Sequence, residues 1–404
     1  MTFFSQPTPE QQARIEATSR ELAVRRERTR QRGDEGERRT KLGSRLLTAG
    51  ILATAALGFA PAPYVIRQPG PVFDALGEVR PTADSEPSEI ITIENAPQYE
   101  PESGQLDVLT VNVAGNPQSE PTWFEVLLAW ATPERDVLPV EAYYADGESA
   151  EVRNAETAAQ MTSSQDLARV AALRELGYEV PSRLSVASVV EGGPSAGQLE
   201  EGDVLVSAGG QPVTDIASLR TILAANGTAP IEVVVLRSGV EQHATITPVM
   251  KELDGAESPV LAITAQQTFD FPVTIHISLG DVGGPSAGLM LTLAIIDKLT
   301  PGDMAGDRNI AGTGTIDTEG NVGPIGGIRQ KIYASIEAGA DAFLAPVENC
   351  AEATSRATPT SIPIYAVSTL DEARTVVDAL AAGGDASGFR TCQQVVAAGG
   401  GTSE

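Results

Sequence analysis

Between Ala287 and Ile296 almost every position is apolar. A helix without a polar stripe cannot lie on a surface, so this stretch demands a fold that covers one helix on most of its sides. The helix opens in the hexapeptide GGPSAG, Gly283 to Gly288, which puts Ser286 in its opening turn. Free backbone N–H groups and the positive end of the helix dipole lie beside such a residue, and these can hold an oxyanion. Serine is also a common helix cap, so this stretch alone leaves the role of Ser286 open.

The same hexapeptide occurs at Gly192 to Gly197 in different company. A strand-like LSVASVV runs into it, and EGDVLVSAGG, a helical IASLRTILAAN and a Val-rich IEVVVLR follow. This order resembles a PDZ domain over residues 177–250. The resemblance implies an extended peptide, often a C-terminus, added to a sheet edge beside the helix Ile216 to Ala225, with the carboxylate loop near Leu176, Gly177 and Tyr178. Ser195 then lies in a connecting turn with no base in a motif-defined position near it. The flanks of the two copies predict different local folds, so the repeat reads as two uses of small residues at a tight turn.

The stretch GTGTIDTEGNVGPIGGIRQKIYASIEAGA bears on Ser286. If a helix begins near Gly327, Ile328, Ile332 and Ile336 stack on one face, and Lys331 and Ser335 join it. Arg329, Gln330 and Glu337 fall on the opposite face, so a lysine occupies a position where the pattern calls for a hydrophobe. Burial lowers a lysine's pKa and makes a neutral amine available as a general base, while the competing outcome is a stem that carries the ammonium out to water.

Together, PSAG before a buried helix and G-x-V-x-PIGG-hydrophobic-x-x-K resemble the proteolytic domain of the Lon family of serine peptidases, over roughly 259–380. The resemblance implies Ser286 as nucleophile, Lys331 as its base and Thr313 as a support for the lysine. His276 matches a histidine often found on the strand before the serine, and it is left out of the dyad. Many relatives carry an acid three residues before the serine, where this chain has Gly283, with Asp281 two residues further back. No G-x-x-x-x-G-K-[ST] occurs, so neither ATP nor any other cofactor is expected. With two histidines and no H-E-x-x-H, a metallopeptidase and a metal site are not expected either.

Charge sets the remaining expectations. The net charge of −26 argues against nucleic acid as a partner. Residues 1–45 are nevertheless basic, and Leu46 to Ile66 form an uncharged run long enough to span a bilayer. This predicts a single transmembrane helix with a cytoplasmic N-terminus and an extracytoplasmic catalytic part. The competing signal peptide would be cut at Ala60-Pro61-Ala62, with Pro63 unfavourably after the cut. An oxidising compartment suits a disulfide between Cys350 and Cys392, against two unpaired thiols. The order, including YVIRQPGPVFDALG, resembles the membrane-anchored PDZ-Lon proteases of bacteria.

The expected fold is α+β and multidomain: a basic arm (1–45), the transmembrane helix (46–66), a strand-rich segment ending in a helix (67–176), the PDZ domain (177–250), a Lon-type α/β proteolytic domain (259–380) and a tail (381–404). The expected function is ATP-independent cleavage of extended or unfolded exported or membrane-protein segments selected by the PDZ domain, with homo-oligomers as a further expectation. A catalytically inactive PDZ scaffold that binds peptides at the membrane is the alternative.

Overall fold

A computed structural model describes residues 9, 14, 17–27, 47–50, 54–80, 86–101, 103–145, 147–253, 256–280, 282–383 and 386–399. Of the basic arm, residues 17–27 form a helix, and most of the rest lies outside the described residues.

The run from Leu46 to Ile66 does not act as one spanning element. Among the described residues no helix is long and apolar enough to cross a membrane. Residues 47–50 and 54–58 are helical, and 51–53 lie outside the described residues. Pro61 and Pro63 lack the N–H that a continuing helix needs. Ala62 N–H instead bonds the carbonyl of Pro121 at 2.8 Å, and from Tyr64 the chain is a strand with Val65 and Ile66 buried. Part of the apolar content expected to face lipid therefore belongs to the protein's own core. This overturns the expected single-pass helix and the extracytoplasmic placement that rested on it.

The N-terminal part supplies three strands of the main sheet, β1 (Tyr64–Asp74), β2 (Gln105–Ala114) and, after helix α1 (Trp123–Trp130), β3 (Asp136–Pro139). The long helix α2 (Ala150–Glu175) follows, capped by the Ser149 side chain. The chain then builds β4 (Ser182–Val189), β5 (Val204–Ala208), α3 (Ile216–Asn226), β6 (Ile231–Arg237), β7 (Val240–Ile246) and β8 (Ile263–Phe269). It returns with α4 (Gly288–Leu299), β9 (Asn309–Gly312), α5 (Ile328–Glu337), β10 (Ala342–Pro346), β11 (Ile364–Val367), α6 (Leu370–Ala381) and α7 (Cys392–Gly399).

Strands β1, β2 and β3 share one sheet with β9, β10 and β11, in the order β11-β10-β9-β2-β1-β3. Pairing is parallel from β11 to β2 and antiparallel at β1. Successive side chains alternate between two covered faces, as in a sheet with helices on both sides. Ile310, Leu344 and Val367 pack into the core that holds α4 and parts of α2 and α6, whereas Ala311, Phe343 and Ala366 pack with α5. Every residue of α4 from Gly288 to Lys298 is buried, as its unbroken apolar run requires.

The segment expected to stand apart at 67–176 thus supplies half of this sheet, and the PDZ-like unit is inserted into that layer. Its sheet runs β7-β6-β5-β4-β8. Strand β8 falls inside the span expected for the proteolytic part, because Ile263 and Ala265 pack on the core formed with Leu184 and Val186. The tail expected from 381 is tied down in turn: Cys392 on α7 is disulfide-bonded to Cys350, and both pack with Ile328 and Ile332 of α5.

Candidate active site

Ser286 precedes α4, on one face of the sheet, and Lys331 lies on α5, on the other. They meet because the sheet parts between them. Strand β9 pairs with β2 only from Gln105 to Val108, and beyond Gly312 the chain turns toward the serine, with Gly314 N–H bonding the Ser286 carbonyl at 3.0 Å.

Both sides of the opening are clamped. The carbonyl of Thr157 on α2 accepts the Gly284 N–H at 2.8 Å, and Ser164 Oγ donates to the Pro285 carbonyl at 3.0 Å. A side chain at Gly283 would meet Thr157 Oγ1 at 2.9 Å, so only glycine allows this approach. At the start of α5, Gly327 has φ +72°, and a Cβ there would meet Val111 Cγ2 at 2.9 Å. Just before it, Asn349 accepts the Ile325 N–H at 2.9 Å and donates to the Ile325 carbonyl at 2.8 Å, holding the loop from which the lysine helix starts.

Lys331 Nζ donates to Ser286 Oγ at 2.6 Å and to Thr313 Oγ1 at 2.8 Å, and Thr313 Oγ1 donates to the Ser286 carbonyl at 2.9 Å. Lys331 is 2% exposed and, among the described residues, no carboxylate pairs with it. Uncompensated burial lowers its pKa from 10.5 to about 7. Ser286 and Ala287 N–H form no hydrogen bond among the described residues, which leaves two donors beside the hydroxyl where an oxyanion would develop. A groove of about 580 Å³ opens on the pair and runs along Val108 to Val113, where β2 has lost its partner on the β9 side.

Other expected site residues are placed elsewhere. Gly177 N–H bonds the carbonyl of Arg174 at 2.9 Å and Tyr178 N–H that of Leu173 at 2.9 Å. Both close the C-terminus of α2, so their donors are not free for a peptide carboxylate as expected. Ser195 is fully buried and donates to the Leu261 carbonyl at 2.6 Å. His276 is largely exposed, near Glu94, and is not part of the dyad's hydrogen bonds. Asp281 lies outside the described residues. Among the described residues no cluster of His, Cys, Asp or Glu is placed to hold a metal. The α2 clamp and Asn349 were missed from sequence. Helix α2 reads as helical only from about Ser163, where Leu167, Val170, Ala171 and Leu173 come near helical spacing. Yet Thr157, Met161 and Ser164 share one helical face.

A hydroxyl bonded to a buried amine that no acid compensates, with free N–H groups beside it, is the layout of a serine–lysine hydrolytic site. The comparisons with known proteins agree. Residues 230–378 match the Lon protease (S16) C-terminal proteolytic domain, and residues 185–237 match the PDZ domain. The chain is 38% identical over 82 residues to a Lon protease of Desulfatibacillum aliphaticivorans, covering 20% of this chain and 10% of that protein. It is 38% identical over 105 residues to Lon protease 1 of Sorangium cellulosum, covering 25% and 13%. It thus spans about a tenth of the length of these relatives. The PDZ domain of an SdrC-like protein of Listeria monocytogenes is similar over 20% of this chain and 85% of that one, at 18% identity and a TM-score of 0.19. The chain carries a Lon-family proteolytic domain and a PDZ domain.

Proposed function

We propose that this chain is a serine endopeptidase that works without ATP on extended segments of protein. The observation that carries this reading is the 2.6 Å hydrogen bond between Ser286 Oγ and a lysine amine buried without a counter-charge. In its neutral form Lys331 takes the proton from Ser286 as the alkoxide attacks the scissile carbonyl. The resulting oxyanion lies against the N–H groups of Ser286 and Ala287. Lys331 then gives the proton to the leaving amine, and water, deprotonated by the same amine, releases the acyl group. Thr313 fixes the ammonium between its own hydroxyl and Ser286.

The substrate lies as an extra strand on β2 from Leu109 to Ala114, the stretch without a partner on the β9 side. A folded domain has no free strand to offer, so substrates are tails or unfolded segments. The PDZ domain presents them on the outer edge of β8, since β4 is already paired with β8. The test compares a stably folded protein with its denatured form, without nucleotide, for wild type, Ser286→Ala, Lys331→Ala and Ser195→Ala. The expected result is cleavage of the denatured form only, lost in the first two variants and kept in the third. Equal cleavage of both forms would refute the choice of extended substrates, and activity in Ser286→Ala would refute the dyad.

A further inference from the structure

The groove that opens on Ser286 differs in charge from the chain that surrounds it. The protein carries 54 acidic against 28 basic residues. Among the described residues, however, the groove is lined by Arg67, Arg80 and Arg153 besides Lys331, and by no aspartate or glutamate. Asp281, between two lining residues, lies outside the described residues.

The carboxylates behind these arginines only partly offset them. Asp136 bonds Arg67 at 2.9 Å and also Arg329, so two guanidinium groups share one carboxylate. Arg80 is exposed and has no ion pair among the described residues. Arg153 is 3.8 Å from Glu148, beyond hydrogen-bond distance, while Glu148 Oε2 is turned to the Ala145 N–H at 2.7 Å.

Arg153 is also the best positioned of the three. Its guanidinium lies over the Tyr143 ring, 5.0 Å from the centroid, and its side chain is 34% exposed. An arginine held over an aromatic ring has already lost part of its conformational freedom and still offers N–H donors to a ligand. It stands one helical turn before Thr157, whose carbonyl holds the nucleophile loop, so it lies about 6 Å further along α2. At about 3.3 Å per residue, an extended substrate brings a side chain two to four residues from the scissile bond to this place. Arg153 lies outside the 230–378 span that matches the Lon domain, so any preference it sets belongs to this chain's own α2 segment.

We infer that the groove selects substrates with an acidic side chain about two to four residues from the cleaved bond, bound by Arg153 with support from the partly offset charge of Arg67 and the unpaired charge of Arg80. The inference rests on the peptidase reading, and its test separates the two. Internally quenched peptides identical except for Glu or Gln at single positions on either side of the bond are given to the full chain, and kcat and KM are measured for wild type, Arg153→Gln and Arg153→Lys. At one position Glu raises kcat/KM about fivefold, through KM, as a half-exposed ion pair would. The preference falls to about one in Arg153→Gln and partly returns in Arg153→Lys. No preference at any position, or one that survives in Arg153→Gln, overturns the inference. Anisotropy titrations of the same pairs, labelled and unquenched, on Ser286→Ala decide it without turnover. Tighter binding of the Glu peptide that Arg153→Gln abolishes supports it, and equal binding overturns it. A wild type that binds with this preference and cleaves nothing overturns only the peptidase reading.

Discussion

Replacing Lys331 by methionine tests the electrostatics of the site independently of catalysis. The lysine is buried without a carboxylate partner, and its pKa falls from 10.5 in the open chain to about 7 in the folded protein. Because the folded value is depressed for a base, the unfolded chain binds the proton more tightly between these two values, and stability rises with pH across that window. Below pH 7 both states are protonated, and the folded state bears the whole cost of the buried charge, about 5 kcal/mol at 1.36 kcal/mol per unit. Above about pH 10.5 the cost is gone. Methionine has similar length and no charge, so the variant escapes this cost and loses the two hydrogen bonds to Ser286 and Thr313 at every pH. The loss sets the offset and the lysine sets the slope. Urea denaturation followed in the catalytic layer should show the variant's advantage over wild type shrinking by about 2 kcal/mol from pH 7 to pH 9. An advantage that does not change with pH would refute the uncompensated amine. The same pKa predicts that wild-type kcat/KM rises with pH and levels off just above 7, rather than climbing toward 10.

Two further outcomes follow from the packing around the site. Asn349→Ala removes both hydrogen bonds to Ile325 and loosens the loop that starts the lysine helix, so kcat should fall about tenfold while peptide affinity on the same background holds; steady-state kinetics with titrations on a Ser286→Ala background check this. Asp107 is buried at the β1–β2 pairing beside Asp74, and desolvation, reinforced by the Asp74 charge, pushes its pKa up to about 7. For an acid whose folded value is raised, the cost is absent below pH 4 and complete above pH 7, so Asp107→Asn should raise thermal stability at pH 8 much more than at pH 4, by at most about 4 kcal/mol.

The hydrogen-bonded pair Ser286 and Lys331 was legible because each member breaks a local pattern. Lys331 interrupts the apolar stripe Ile328-Ile332-Ile336, and Ser286 opens a helix with no polar face, so both anomalies show within ten or twelve residues of sequence. The frame that brings them together was not legible. Strand β2 pairs with β9 across some 200 residues that contain a whole inserted module, and strand partners so far apart leave no period to read. Helix α2 is legible only from about Ser163, because the turns around Thr157 mix alanines with Glu, Asn, Thr and Gln and carry few large apolar residues. The run at 46–66 was misread for the opposite reason. Apolar length is the same signal whether lipid or protein covers it, and only the two prolines and the partners of Ala62, Val65 and Ile66 decide that its end joins the core.

The two copies of GGPSAG show why a motif specifies a turn and not a chemistry. In both, small residues let the chain fold tightly around a serine. At Ser195 the hydroxyl is fully buried and gives its hydrogen to the Leu261 carbonyl at 2.6 Å, which helps fix the chain as it enters β8. No amine or imidazole takes part in that bond. At Ser286 the hydroxyl receives a hydrogen bond from Lys331 and faces an open groove. Among the described residues its own hydrogen is given to no acceptor, so it stays available to the Lys331 amine once that amine is neutral. The difference lies in what the rest of the fold brings to the turn: a backbone acceptor in one case, and in the other a lysine from the far face of a sheet that has parted to admit it. A Lys331→Ala chain would keep both turns and make Ser286 as inert as Ser195.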